Sequence, residues 1–485
     1  MTDEAVEDKP IPTGRSFGRD LTTGSIPRHL ILFSLPMLAG TFLQTAYTFV
    51  NRIWVGQYLG KSALTAITVS VPVVFVLAAL ASGMTMATSI LISQHYGARD
   101  TGALRRVVSN STILFTVLSL LLLVVGEALA PAILRAMNTP PAALDLAVGY
   151  LRIYLLSVPL SFGAFAVRSM LQGIGDSRSP LYFLGASVLL TAGLDPVLMF
   201  GWLGMPRLGL NGTAWASGVA QLLAVWAMVL WLRRGKNLVA PRWGWRSFHW
   251  PTAWTTLKIG LPSSVQQSMV SLGIAFVITR VNHYGENAVS AFGAASSGVD
   301  QLAFMPAITF SLAVATLTGQ NIGANRLDRV PSIFRWGCLL SGGVTAVVSL
   351  LVAGLPRAMM RIFTPEPALV DIGADYLRIV APCYLFFGIM FASNGVINGA
   401  GHTLVTTIVS LVSQWAVRVP MAYLLSAWMN SVRGVWYAVA MSFAASMFVS
   451  LGYYLSGRWR RPVVRRYPAP APSPAAVFGE ETGEV

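Results

Sequence analysis

Long apolar stretches recur from about residue 29 to residue 457, broken only by short polar punctuation, and they constrain this chain more than any other feature. They fall at about 29–57, 62–93, 104–130, 142–171, 179–203, 212–232, 252–282, 288–320, 331–355, 367–398, 403–429 and 434–457. In lipid, backbone N–H and C=O groups must be satisfied within the protein, which leaves helices or a closed barrel. Runs of this length without two-residue alternation exclude the barrel. Several are longer than a single crossing needs, which predicts tilted, bent or protruding helices. Composition agrees: 54% of the 485 residues are hydrophobic and 11% charged. That charged share is less than half of what soluble domains carry. Mean hydropathy is +0.62. Twelve spans of roughly 20 residues need about 240 apolar-rich positions, which the chain can supply. The expected fold class is an all-α polytopic membrane protein, with twelve transmembrane helices in two pseudo-symmetric six-helix bundles. A soluble enzyme, a disordered chain and a disulfide scaffold are excluded.

The net charge of +15 does not require nucleic acid, because membrane proteins gather Arg and Lys in cytoplasmic loops. With the N-terminus inside, the cytoplasmic segments hold twenty Lys and Arg, among them Arg105, Arg106, Arg233, Arg234 and Arg458. The outer loops hold six: Lys61, Arg135, Arg207, Arg357, Arg361 and Arg433. This asymmetry puts both termini in the cytoplasm and requires an even number of spans. Cys338 and Cys383 sit in apolar stretches and read as buried thiols. The polar start, MTDEAVEDKPIPTGRSFGRD, has no apolar core, so no cleavable leader is expected.

The two halves repeat at one constant offset, 226 in the numbering. Leu35-Pro36 matches Leu261-Pro262, and Gln94, Gly97 and Ala98 match Gln320, Gly323 and Ala324. Tyr150-Leu151-Arg152-Ile153 matches Tyr376-Leu377-Arg378-Ile379, and Gly173 and Gly175 match Gly399 and Gly401. The offset lays span 1 on span 7 in the same orientation, a parallel repeat about an axis along the membrane normal. The expected organisation is a cytoplasmic tail at 1–28, an N-lobe at 29–232, a cytoplasmic linker at 233–251, a C-lobe at 252–457 and a largely disordered cytoplasmic tail at 458–485.

No nucleotide loop, zinc-protease motif or serine elbow is present. That argues against an enzyme and against direct ATP drive; a secondary transporter needs only a cavity and an ionisable coupling group. Asp195, in GLDPVLMFG, lies mid-span, where a carboxylate is costly and function is the default reading. Its alternative is structural: pairing with an Arg, Arg168 for instance, or capping a helix interrupted at Pro196. Asp300, in SSGVDQLAFMP, is the second coupling candidate, with Arg280 as a possible structural partner. Arg52, beside Asn51, and Arg168 lie inside spans and look directed at a cavity, as an ion pair or as a positive patch for an anionic or zwitterionic substrate. Gln44 and Gln266 add intramembrane amides to the candidate cavity set. Pro36 and Pro262, at matching positions, are candidate hinges.

The stretches FSLPMLAGTFLQTAYTFVNRIWVGQYLG, ALASGMTMATSILISQHYGARD, QGIGDSRSP, LDPVLMFGWLGMPRLGLNGTAWA and LAFMPAITFSLAVATLTGQNIGAN resemble the multidrug and toxic compound extrusion (MATE) family over roughly 29–457. The resemblance implies two six-helix lobes in a V, and efflux of organic compounds in exchange for protons or sodium ions. Asp195 matches the family's acidic site in span 5. Asn51 stands where span 1 usually has an Asp, Arg168 at a span 4 Asn, Thr191 at a span 5 Asn, and Asn394 at the Asn expected in the second half. Val270 replaces a Glu that some members carry, and Asp300 falls at an acidic position before the L-A-x-x-P run. The depleted cation set favours protons over sodium as the coupling ion and leaves Asp195 and Asp300 to carry them. The reading is a secondary active antiporter that exports small, drug-like organic compounds by alternating access. The alternative is an exporter or flippase of an anionic or lipid-linked substrate. No cofactor, metal or nucleic-acid partner is expected, only substrate and membrane lipid, in a monomer of the bacterial inner membrane.

Overall fold

The computed structural model describes residues 18–137, 139–235, 237–241 and 248–461, with the side chain of Arg52 and a few other helical residues outside that set. Residues 1–17, linker residues 236 and 242–247 and the tail from 462, for which the sequence predicts cytoplasmic segments, lie outside the described residues. Twelve helices are long and apolar enough to cross a membrane, and no strand occurs among the described residues. They are α1 (Ile26–Trp54), α2 (Gly60–Gly97), α3 (Thr101–Ala136), α4 (Pro141–Gly173), α5 (Arg178–Phe200) and α6 (Leu210–Arg234). The second half supplies α7 (Trp250–Asn282), α8 (Glu286–Gly323), α9 (Val330–Gly354), α10 (Pro367–Gly399), α11 (Thr403–Trp428) and α12 (Arg433–Leu455). This is the all-α, twelve-helix fold that the apolar runs predict.

Local chemistry sets the helix boundaries. Asp100 caps α3 by accepting from the Ala103 amide at 2.8 Å. Asp176 accepts from the amides of Arg178 and Ser179, at 3.0 Å each, and starts α5. Both satisfy amides that a helix N-terminus leaves without partners. Gly175 and Gly401, equivalent in the repeat, both turn at positive φ, +84° and +90°, a conformation glycine adopts without strain. Helical residues such as Phe42, Leu350 and Trp428 present large apolar surfaces outward, as lipid-facing side chains must.

Helices pack in the same pairs in both halves: α2 with α4, α3 with α4, α5 with α6 and α1 with α5, and likewise α8 with α10, α9 with α10, α11 with α12 and α7 with α11. Contacts between halves are reciprocal too: α2 meets α7, α1 meets α8, and α2 meets α8. The junction is tightest at the end carrying both described chain ends. There Gln94 Nε2 donates to the Gly399 carbonyl at 2.8 Å, and Gln320 Nε2 donates to the Gly173 carbonyl at 3.1 Å. Gly97 lies against the backbone carbonyl of Gln320, and Gly323 against that of Gln94, with no room for a side chain. Residues 19–24 cross the same junction: the Leu21 amide donates to Gln320 Oε1, Arg326 donates to the Thr22 carbonyl, and the Arg19 amide donates to the Ile174 carbonyl. This end of the molecule is closed.

Candidate functional site

A cavity of about 380 Å³ opens inside the first bundle, among α1, α2, α4, α5 and α6. Its apolar wall includes Phe162, Phe165, Leu184, Val188 and Met228, and its polar groups include Gln44, Tyr47, Arg168, Thr191 and Gln221. The corresponding part of the second bundle is filled with rings. Phe304 and Phe387 lie 4.4 Å apart centre to centre, and Phe387 and Phe443 4.7 Å apart. The pseudo-symmetry of the helices therefore does not extend to what they enclose.

Tyr47 joins the cavity to the Asp195 carboxylate. Its hydroxyl donates to Asp195 Oδ2 at 2.9 Å, and Asn51 Nδ2 donates to the same oxygen at 2.9 Å. Tyr47 and Asn51 are four residues apart and so share one face of α1. Asp195 Oδ1 is buried without a partner among the described residues. One carboxylate oxygen is thus held by two donors while the other is free to hold a proton. Asp195 is 3% exposed, so changing its charge must be felt by the groups bonded to it.

Arg168 and Asp195 do not pair. Arg168 stands five residues before the end of α4, and Asp195 seventeen residues into the antiparallel α5. At about 1.5 Å per residue that separates them by about 18 Å along the bundle. The guanidinium makes no hydrogen bond or ion pair among the described residues and lines the cavity toward its closed end. Thr191 lines the cavity too, with its hydroxyl donating to the Ser187 carbonyl of its own helix at 2.7 Å.

Asp300 occupies a different setting. It is 3% exposed in the aromatic core of the second bundle, where the Tyr376 hydroxyl donates to it at 2.6 Å and Tyr384 donates to its other oxygen. Arg280 is not its partner; that guanidinium donates to Ser426 Oγ at 2.7 Å. A π-helical turn at Ala295–Val299 immediately precedes Asp300. Two more lie at Val55–Leu59, just beyond Asn51, and at Val412–Arg418. Such turns rotate the side chains that follow and concentrate at functional positions.

The remaining candidates lie away from the cavity. Gln266 Nε2 donates to Ser410 Oγ at 2.6 Å, and Asn394 Oδ1 accepts from Ser450 Oγ at 2.8 Å, both in the second bundle. Pro36 and Pro262 sit inside α1 and α7 without ending either helix. Sequence reasoning does not single out Tyr47, Tyr376 and Tyr384 as the donors that hold the two carboxylates. Nor does it single out Gln221, which accepts from Ser161 at 2.5 Å across α4 and α6. For Tyr47 the signal is its four-residue spacing to Asn51; for Gln221 it is the matching spacing to Ser217 in an otherwise apolar span.

A family model described as MatE matches the chain twice, over residues 36–197 and 262–424. The two matches begin at the paired prolines. Among curated relatives, the probable multidrug resistance protein YoeA of Bacillus subtilis is 32% identical over 434 residues, covering 89% of this chain and 94% of its own. The probable multidrug resistance protein YpnP of the same organism is 31% identical, covering 91% and 97%. Among solved structures, a multidrug resistance MATE family transporter in an outward-facing conformation superposes with a TM-score of 0.83 at 22% identity, covering 90% of this chain and 97% of that one.

Proposed function

The chain belongs to the MatE family of membrane transporters, and from that premise we propose that it exports small organic compounds in exchange for protons, with Asp195 as the coupling acid. Relatives named as multidrug resistance proteins support drug-like cargo. The observation that carries the coupling is the chain of contacts from the cavity to the carboxylate. Tyr47 lines the cavity and donates to Asp195. Protonation discharges Asp195 and weakens its claim on Tyr47 and Asn51, so one proton can bias the packing of the wall that meets the cargo. A carrier couples in this way when proton and cargo favour different arrangements of the same groups. The bundles at 29–232 and 252–457 would rock against each other so that the closed end opens in its turn, in the inner membrane of a bacterium, with both termini cytoplasmic. Sodium is the lesser alternative as the coupling ion.

The test is export from proteoliposomes with proton and sodium gradients imposed separately. A proton gradient alone should drive transport, and Asp195→Asn should abolish that drive. The variant should still insert and fold, because Arg168 does not depend on Asp195 for a partner. Transport by Asp195→Asn at the parental rate with an unchanged pH profile would remove Asp195 from the coupling role and leave Asp300 as the candidate. Drive by sodium alone would overturn proton coupling.

A further inference from the structure

We propose that the cavity of the first bundle takes amphipathic organic anions, with the acidic group of the ligand on Arg168 and its apolar body against Phe162, Phe165 and Met228. Arg168 is the only charged residue among the described residues that line the cavity. It has no carboxylate partner among the described residues, and Asp195 lies about 18 Å farther along the bundle. Arginine keeps its charge under all physiological conditions. An unpaired cation at membrane depth is costly, and such residues pair, line water or mark a substrate path. Its planar fork suits the two oxygens of a carboxylate, sulfonate or phosphate. Gln221 adds no competing charge: its Oε1 accepts from Ser161, and its amide is a neutral group about 12 Å along the bundle from Arg168. The second bundle offers no equivalent: the repeat counterpart of Arg168 is Asn394, already bonded to Ser450. A cation in this cavity would meet a like charge, whereas an anion would complete the site.

The proposal rests on the cavity being where cargo binds, and equilibrium binding tests it separately from coupling. Purified protein in phosphatidylcholine nanodiscs is titrated calorimetrically with 2-naphthoate, its methyl ester and the (2-naphthyl)trimethylammonium ion. Naphthoate should bind at least about tenfold more tightly than the other two, a difference of about 1.4 kcal/mol. Arg168→Ala and Arg168→Gln should each lose that preference, and Arg168→Lys should keep part of it. Equal affinities for the three probes, or an undiminished preference in a folded Arg168→Gln protein, would overturn the proposal. If Arg168→Ala does not fold, the three-probe comparison on the parental protein still decides it. Repeating the titration in phosphatidylglycerol nanodiscs separates two sources of the oxyanion. Arg168-dependent weakening of naphthoate binding there assigns the site to a lipid headgroup, and its absence to a soluble anion. Failure of the binding preference leaves proton coupling at Asp195 standing, and failure of coupling leaves the preference intact.

Discussion

Two carboxylates inside the membrane have opposite surroundings, and that difference predicts opposite mutant behaviour. Asp195 has one oxygen held and one free, beside a cavity. Tyr47→Phe keeps the ring in the cavity wall and removes one donor to the carboxylate. Asn51 still donates to the same oxygen and water in the adjoining cavity can replace the lost donor, so thermal stability should change little, while proton-driven turnover should fall about tenfold, about 1.4 kcal/mol in the barrier. Asp300 has both oxygens held by tyrosines within packed rings. Tyr376→Phe leaves a buried acceptor short of a donor, at a cost of about 1–3 kcal/mol. A lowered Tm with residual turnover would mark Asp300 as a group that holds the bundle together. An unchanged Tm with lost turnover would mark it as a second coupling site. Both acids stand out in the sequence as charges in apolar runs. Their partners do not, because a tyrosine in a membrane span is as often lipid-facing as bonded, and only packing tells the two apart.

At the scale of helices, the closed end depends on two glycines where backbones meet. Gly97 faces the carbonyl of Gln320 and Gly323 that of Gln94, so a methyl group at either position must push the two bundles apart. Overpacking of this kind typically costs about 1–3 kcal/mol. Gly97→Ala and Gly323→Ala should each weaken the closed end and make a cysteine introduced at Ser93 more reactive to a thiol reagent, by several-fold. Unchanged reactivity in both variants would mean that the junction does not depend on this approach. The pairing of these glycines is legible in the sequence as part of the constant repeat offset. The π-helical turns at Val55–Leu59, Ala295–Val299 and Val412–Arg418 are not. None has a counterpart in the other half among the described residues, and inserting one extra residue in a turn leaves no mark on an apolar pattern.

The whole molecule is two similar bundles joined at one end, and rocking requires that this junction come apart. An ideal Cβ at Gly319 lies 3.1 Å from Ser93 Cβ, within a few tenths of an ångström of disulfide range. The double variant Ser93→Cys, Gly319→Cys should therefore lock the closed end on oxidation and stop transport, with reduction restoring it. Full activity in the oxidised, cross-linked protein would exclude opening at this junction. The twelve spans, the parallel repeat and the two acids worth testing can all be read along the chain. These are one-dimensional properties: lipid imposes a length and a polarity on each segment, and duplication leaves a constant spacing. Helix packing supplies the rest. It makes the first bundle hollow and the second filled, holds Arg168 and Asp195 too far apart to pair, and lets Tyr47 tie a carboxylate to the cavity. Those outcomes depend on how far along each helix a side chain sits and which way it turns, and such distances exist only once the helices lie side by side.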